Sequence, residues 1–180
     1  MSLLSELTYF LGLQVQQTKN GIFLSQTKYL KQILKKYGIE YCKLVCTSMA
    51  TGCNLSQNDD SPSVNQSEYI STFGILLYLI GTRPKIMHAI RIVGIFQENP
   101  KETHIKAIRR IFKYLQGTQD FGLWYPKNTK FSLHAYSDVD WVGNIDDCKS
   151  TSGGAFYLGP CLVSWFNKKQ SFISLSNAEA

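Results

Sequence analysis

The stretch Tyr136-Ser137-Asp138-Val139-Asp140-Trp141 decides the fold class, because it completes a run of alternating residues that starts at Phe131. Within that run Phe131, Leu133 and Ala135 fall on one face, and Ser132, His134 and Tyr136 fall on the other. A period of two residues predicts a half-buried β-strand. Asp138 would then lie near the end of the strand, with Asp140 two residues further on.

Two interpretations of these aspartates stay open at this point. Divalent cations such as Mg²⁺ take oxygen ligands, so a carboxylate at the end of a strand can hold a metal ion. Alternatively, Asp138 and Asp140 bond nearby backbone donors in an ordinary turn between a strand and a loop.

The composition is that of a globular protein with one or two domains. The chain has 180 residues, of which 44% are hydrophobic and 18% are charged. Its longest apolar run, residues 73–80, is too short to span a bilayer, so no membrane partner is expected. Five irregularly spaced cysteines argue against a disulfide framework, and the pair Cys42 and Cys46 lacks a second pair of zinc ligands. We therefore expect free thiols in an intracellular protein.

The charge is unevenly distributed along the chain. Nineteen lysines and arginines against 13 aspartates and glutamates give a net charge of +6, which suits a polyanionic partner. One predicted helix carries a row of basic residues opposite its apolar side, namely Lys106, Arg109, Arg110 and Lys113. The row is either a phosphate-binding surface or an ordinary solvated helix face.

The N-terminal part predicts a hairpin followed by a helix. Residues 7–15 are mostly apolar and predict a strand, in which Gly12 marks a bulge or a close approach of another backbone. The Asn20-Gly21 pair favours a tight turn into a return strand. Ser25 can cap the next helix, and Gly38 would end it.

The rest of the chain divides into a helical part and a β part. Turn-forming residues dominate residues 42–65, and three helices are then predicted from Ser67, Pro84 and just after Pro100. Beyond Gly117, short strands are predicted at residues 122–125, 131–138, 154–158, 162–166 and 171–175. We therefore predict an α+β fold, with a hairpin and a helical bundle in residues 1–120 and an antiparallel β-meander in residues 121–180.

The last residues predict the start of another helix. Ser176 and Glu179 have the spacing of a capping box, but a single helical turn does not form on its own. The expectation is that the chain is a piece of a longer protein.

Several short motifs, taken in order, carry a family resemblance. They are Phe10-Leu11-Gly12-Leu13, Gly21-Ile22-Phe23-Leu24-Ser25-Gln26, Leu76-Leu77-Tyr78-Leu79 with Thr82-Arg83-Pro84, Arg110-Ile111-Phe112-Lys113-Tyr114-Leu115-Gln116-Gly117-Thr118, Gly122-Leu123-Trp124-Tyr125, Tyr136-Ser137-Asp138 with Asp140-Trp141, Asp147 with Lys149-Ser150-Thr151-Ser152-Gly153, and Ser164-Trp165 with Lys168-Lys169-Gln170. Together they resemble the Pol polyprotein of copia-type LTR retrotransposons, which are common in plants.

The resemblance implies a reverse transcriptase joined to a ribonuclease H domain. Phe10, Leu11 and Gly12 resemble the primer grip, a hairpin that holds the primer end, and the helices would form a thumb-like bundle with its connection. The basic row from Lys106 to Lys113 would contact the phosphates of an RNA–DNA hybrid or another duplex without reading its sequence.

The β part would be a truncated ribonuclease H-like meander. Asp138 matches the first catalytic aspartate of that domain, a ligand of Mg²⁺ in chemistry that uses two metal ions. Asp140 belongs to the motif but is not assigned as a ligand. The strand with Asp138 would lie at an open edge, so we expect residues 129–180 to be marginally stable alone.

Departures from the family pattern predict that the isolated chain is inactive. The catalytic glutamate of the family would follow Ala180, Glu179 corresponds only to the capping box, and the polymerase aspartates lie outside these residues. Lys85 replaces an aspartate that would favour a helix N-terminus. The remainder of the polyprotein is the expected partner, and a non-catalytic nucleic-acid-binding module and an inert relic are the competing hypotheses.

Overall fold

A computed structural model of the chain describes residues 7–53, 55–140 and 149–173. The described residues form four α-helices and two antiparallel sheets, which confirms the predicted α+β class. The helices are α1 (Thr27–Lys36), α2 (Gln66–Leu79), α3 (Met87–Gly94) and α4 (Glu102–Gln116). The strands are β1 (Tyr9–Phe10), β2 (Leu13–Thr18), β3 (Gly21–Ser25), β4 (Leu123–Pro126), β5 (Leu133–Asp140), β6 (Thr151–Leu158) and β7 (Cys161–Lys169).

The helices pack around one hydrophobic core. The fully or nearly fully buried side chains come from all four helices and recur at helical spacing, as the sequence pattern predicted. They include Leu30 and Leu34 of α1, Tyr69 and Leu76 of α2, Ile90 and Val93 of α3, and Ile108, Ile111 and Leu115 of α4. Two short 3₁₀ turns, Ile80–Thr82 and Pro84–Ile86, connect α2 to α3.

The helix ends follow familiar capping rules. The predicted end of α1 at Gly38 is confirmed, because Gly38 has a φ of 64°. Its N–H donates to Lys35 O at 3.1 Å, and the N–H of Ile39 donates to Leu34 O at 2.9 Å, which together form a Schellman motif. At the start of α2, the side chain of Asn65 accepts a 3.1 Å hydrogen bond from the N–H of Glu68.

The predicted single strand over residues 7–15 is wrong, because the chain reverses inside it. Phe10 pairs with Leu13, so Leu11 and Gly12 form a two-residue turn rather than a bulge. Both have positive φ, 47° and 79°, as a type I′ turn requires. Glycine at position 12 is typical of such a turn, but leucine rarely adopts a positive φ, so the residue at position 11 did not indicate one.

The predicted tight turn before the return strand is confirmed, because Thr18 pairs with Gly21 and the turn between β2 and β3 consists of Lys19 and Asn20. The predicted cap of the next helix needs correction. Ser25 ends β3, and the residue before α1 is Gln26, which makes no side-chain capping bond.

Strand β4 was predicted with the later strands but pairs with β3 instead. Leu24 lies opposite Leu123 and Gly21 opposite Pro126, so the first sheet has the order β1-β2-β3-β4. A local pattern predicts that a strand forms but not which distant strand it joins. The proposed domain boundary between residues 120 and 121 stays a prediction.

The second sheet has the order β5-β6-β7 and confirms the antiparallel meander. The prediction that the strand around residue 133 is half-buried is wrong, because Leu133 is 73% exposed and Tyr136, on the other face, is 65% exposed. The alternation fixes which side chains share a face, but burial depends on another layer covering that face. Residues 171 and 172 form a bend and residue 173 has no regular structure, so the predicted strand does not begin there. The remainder of that strand and the capping box at Ser176 lie outside the described residues.

A side chain of the first sheet is hydrogen-bonded to the backbone of the second sheet. The hydroxyl of Tyr125 in β4 donates to Leu162 O in β7 at 3.0 Å, and burial raises the pKa of this tyrosine. Helices α2 and α3 line a cavity of about 430 Å³ that Asn167 of β7 also borders. None of the described helices combines the length and the apolar character needed to cross a membrane.

Candidate nucleic-acid interface

The three residues predicted for the primer grip lie together at the tip of the β1–β2 hairpin. The side chains of Phe10 and Leu11 are exposed, Leu11 by 76%. Tyr78 of α2 donates a hydrogen bond from its hydroxyl to Leu11 O. A Cβ on Gly12 would overlap that hydroxyl oxygen, so glycine is required here by a contact inside the protein.

Three residues without a predicted role fix the end of strand β3, which lies beside the turn of the β1–β2 hairpin. Gln26, directly after β3, is fully buried. Its Nε2 donates to Tyr78 O at 3.0 Å, and its Oε1 accepts from the hydroxyl of Thr82 at 2.7 Å. Gln26, Tyr78 and Thr82 stood in the family motifs, but nothing in their local pattern indicated a shared network.

The four residues of the predicted basic row all lie on α4, but they differ in exposure and in their contacts. Lys106 and Arg109 are exposed, whereas Arg110 and Lys113 are half-buried. Lys106 Nζ lies 3.2 Å from Glu102 Oε1 in an ion pair one helical turn away. In the part of the chain that the structure describes, Arg109 and Lys113 have no ion-pair partner. These two cations are therefore the members of the row best placed to meet a polyanion.

Arg110 has a structural contact that the sequence did not reveal. Its Nη2 donates to Thr47 Oγ1 at 2.9 Å, which ties the loop after α1 to α4. Gln116 fastens the same loop by donating from Nε2 to Glu40 O at 2.7 Å. Between these anchor points the loop leaves Tyr41 98% exposed.

Both ends of α4 are fixed by polar contacts. At the N-terminus the buried ring of His104 stacks on Phe96 with centroids 3.9 Å apart, and its Nδ1 accepts from the N–H of Lys101 at 3.0 Å. Beyond the C-terminus the buried guanidinium of Arg83 donates to Thr118 O and Gln119 O. Burial lowers the pKa of Arg83. The basic row is thus presented on a helix held rigidly at each end.

A hydrogen-bonded carboxylate lies next to the start of α4. Asp59 Oδ2 accepts from the hydroxyls of Thr103 and Ser61, and Asp59 Oδ1 accepts from the N–H of Ser61 at 3.0 Å. The bond from Thr103, followed by those from Ser61, lowers the pKa of Asp59.

Asp138 is exposed on the edge strand β5, opposite Gly153 of β6. Its Oδ1 accepts a hydrogen bond from the N–H of Val139 at 3.0 Å, a local contact like the one that the non-catalytic interpretation assumes. Asp140 lies two residues on and therefore on the same face. The described ranges contain no group of three His, Cys, Asp or Glu side chains that could share a metal ion. Trp141 and Asp147 of the motif lie outside those ranges.

Comparison with known proteins gives several relatives. The chain is 39% identical over 175 residues to "Retrovirus-related Pol polyprotein from transposon RE1" of Arabidopsis thaliana, a match that covers 97% of this chain and 12% of the relative. It is 32% identical over 179 residues to "Retrovirus-related Pol polyprotein from transposon TNT 1-94" of Nicotiana tabacum, covering 94% of this chain and 13% of the relative. It is 36% identical over 171 residues to "Uncharacterized mitochondrial protein AtMg00810" of Arabidopsis thaliana, covering 95% of this chain and 71% of that protein.

The chain thus spans about an eighth of the length of the Pol polyproteins that it matches. No protein-family model matches it, and no solved structure matches it significantly. The matches nevertheless run through almost the whole chain and agree with the ordered motifs in its sequence. On these findings the chain belongs to the Pol polyprotein family of copia-type LTR retrotransposons.

Proposed function

We propose that this chain is the segment of a retrotransposon reverse transcriptase and ribonuclease H that grips an RNA–DNA hybrid. Residues 1–120 would supply the primer-grip hairpin and the thumb and connection helices, and residues 121–180 the first strands of the ribonuclease H domain. The observation that carries the proposal is the cationic side of α4, where Arg109 and Lys113 lack ion-pair partners among the described residues.

The chemistry of this surface suits a nucleic-acid backbone. Arginine and lysine side chains on a fixed helix bind phosphates by charge and release condensed counterions, so affinity does not depend on base sequence. The anchored ends of α4 hold the helix backbone in place, so binding of a duplex does not require the helix itself to become ordered. Exposed Phe10 and Leu11 at the hairpin tip would meet the primer end.

The proposal is tested by charge reversal on α4. Arg109→Glu and Lys113→Glu are expected to weaken binding of a fluorescent RNA–DNA hybrid in an anisotropy titration. Each charge removed should reduce the slope of log affinity against log salt by about one. Lys19→Glu is the matched control, because it makes the same change in net charge at the exposed β2–β3 turn. If the helix variants lose no more affinity than this control, α4 is not the binding surface.

For the isolated chain we propose no polymerase and no nuclease activity. Hydrolysis with two Mg²⁺ ions needs several carboxylates to hold both ions. The described residues contain no group of three potential ligands, and Asp140 is the carboxylate that shares the strand and face of Asp138. Mg²⁺ bound by a complete site would activate water and stabilise the leaving oxygen. The purified chain is therefore expected to leave a hybrid uncut in the presence of Mg²⁺. Cleavage that Asp138→Asn abolishes would contradict this.

The second candidate function is a binding module that performs no chemistry in any context. The hydrogen bond between the Asp138 carboxylate and the N–H of its own neighbour Val139 favours it. The two candidates differ when the chain is joined to the remainder of a polyprotein. A catalytic origin predicts hybrid cleavage that depends on Asp138, whereas a binding module predicts unchanged binding and no cleavage.

A further inference from the structure

We infer that Tyr78 is the positioning residue of the β1–β2 grip hairpin, since it is hydrogen-bonded both to the turn of that hairpin and to Gln26, the residue that follows the neighbouring strand β3. This inference rests on the proposed function, because it assigns Tyr78 a part in placing the primer end. Tyr78 lies in α2, far along the chain from the hairpin, and it acts through Leu11 and Gly12 rather than by contact with nucleic acid.

The contact at the tip joins a side chain to a strained backbone. Leu11 has a φ of 47°, which is unfavourable for an L-residue because its Cβ approaches the following carbonyl oxygen. Its carbonyl oxygen accepts the hydroxyl proton of Tyr78, and Gly12 beside it leaves room for the phenol oxygen. The hydrogen bond therefore compensates part of the cost of a turn that presents Leu11 outward.

A second contact uses the backbone of the same residue. Tyr78 O accepts from Gln26 Nε2 at 3.0 Å, and the other end of that amide accepts from Thr82 Oγ1 at 2.7 Å. Gln26 and Thr82 are both almost completely buried, so this arrangement has little access to water. Because Gln14 of β2 pairs with Ser25, the end of β3 that lies beside the hairpin turn is thus fixed to α2 and to the 3₁₀ turn that follows it.

The support behind Tyr78 is rigid. Its ring meets the ring of Tyr29 edge-on with centroids 4.8 Å apart, and its neighbours Leu76 and Leu79 are fully buried in the helical core. The hairpin tip consequently takes its position from the helical core rather than from the short strand β1. Loss of the tip contact would leave the helical core folded but would let β1 separate from β2 more often.

The first measurement concerns the pairing of β1 with β2. Tyr78→Phe keeps the ring and removes only the hydroxyl. We expect hydrogen exchange at the Val15 amide, which donates to Thr8 O across the hairpin, to become about tenfold faster. Amides in the core of α4 should be unchanged. Tyr41→Phe is the matched control, because it removes a hydroxyl from a side chain that is 98% exposed. Unchanged exchange at Val15 in Tyr78→Phe would overturn the inference.

The second measurement separates positioning from simple stability. The probe is an RNA–DNA hybrid with a recessed primer that carries 2-aminopurine either at its 3′ end or in the middle. Tyr78→Phe is expected to reduce the fluorescence change of the terminal probe several-fold and to leave the internal probe and the affinity for the duplex unchanged. Normal response of the terminal probe despite faster exchange at Val15 would show that the tip does not place the primer end.

The remaining outcomes distinguish this inference from the proposed function. If Arg109→Glu weakens hybrid binding but Tyr78→Phe does not change the response of the terminal probe, the positioning role is refuted and the proposed function stands. If the wild-type chain bound no hybrid at all, the proposed function and the positioning role would both fall. Equal effects of Tyr78→Phe on the terminal and the internal probe would assign Tyr78 to general stability and overturn the inference.

Discussion

At the scale of single residues, the hydroxyl of Tyr78 occupies the space that a side chain at position 12 would need. Alanine at position 12 would adopt a φ of 79° at a cost of about 1–2 kcal/mol and would also overlap the Tyr78 hydroxyl. We expect Gly12→Ala to lower the free energy of unfolding by about 2–3 kcal/mol in urea denaturation. In a Tyr78→Phe background the same change should cost about 1 kcal/mol less, because the overlapping oxygen is gone. If the two substitutions changed the free energy of unfolding additively, the contact between position 12 and the Tyr78 hydroxyl would be contradicted.

Asp59 gives a prediction for the dependence of stability on pH. Hydrogen bonds from Thr103 and then Ser61 lower its pKa in the folded state. Its contribution to stability is therefore fully present above the pKa of about 3.9 that an aspartate has in an unfolded chain. It is lost as the pH falls through the lower folded value.

Thermal unfolding of Asp59→Asn between pH 7 and pH 3 measures this contribution. The variant should unfold at a lower temperature than the wild type at pH 7, and the difference should shrink at the acid end. Asp60→Asn is the control, because it removes the exposed carboxylate next in the chain. A difference that stays constant with pH would show that the carboxylate charge of Asp59 plays no part.

At the scale of elements, replacing either of two glycines by alanine should change the stability of the protein in opposite directions. Neither Gly38 nor Gly74 has an atom near the position of an added Cβ, but Gly38 has a φ of 64° and Gly74 lies inside α2. Gly38→Ala should destabilise the protein by about 1 kcal/mol, because L-residues disfavour that conformation. Gly74→Ala should stabilise it by about 0.5–1 kcal/mol through helix propensity. Equal signs in chemical denaturation would refute the assigned backbone conformations.

The elements also show how far sequence reasoning reached. Helices were predicted well because their core contacts recur every three or four residues, as with Leu30 and Leu34 in α1. The pairing of β4 with β3 was missed because Leu123 and Leu24 meet across about a hundred residues of chain. The residue pattern did not predict the turn at Leu11, because leucine rarely adopts a positive φ, and only the family resemblance implied a hairpin there.

The candidate site was predicted to a similar extent. The row on α4 follows from helical spacing, and the structure does place its four members on one helix. Spacing cannot reveal that Arg110 bonds Thr47 in a distant loop, or that Lys106 pairs with Glu102 while Arg109 does not. These contacts depend on tertiary structure, and they decide which cations remain available to a phosphate.

At the scale of the whole molecule, the helical core positions everything attached to it. The turn of the β1–β2 hairpin is hydrogen-bonded to α2 through Tyr78, and so is Gln26 at the end of β3. Strand β4 extends the same sheet toward the second sheet through Tyr125 and Leu162. The second sheet differs, since its strand β5 exposes both faces and lies at an edge. We therefore expect the β5–β7 sheet to be the least protected part of the fold in hydrogen exchange.

The open edge of β5 predicts self-association. Its backbone groups on one side lack a neighbouring strand among the described residues, and Leu133 beside them is 73% exposed. Such an edge can pair with another chain, and a charge there opposes pairing. Leu133→Lys should therefore lower the light scattering that develops with increasing protein concentration, at little cost in stability. Tyr41→Lys adds the same charge to an exposed loop and should leave the scattering near that of the wild type. If both variants lowered the scattering equally, the effect would come from net charge and not from the edge of β5.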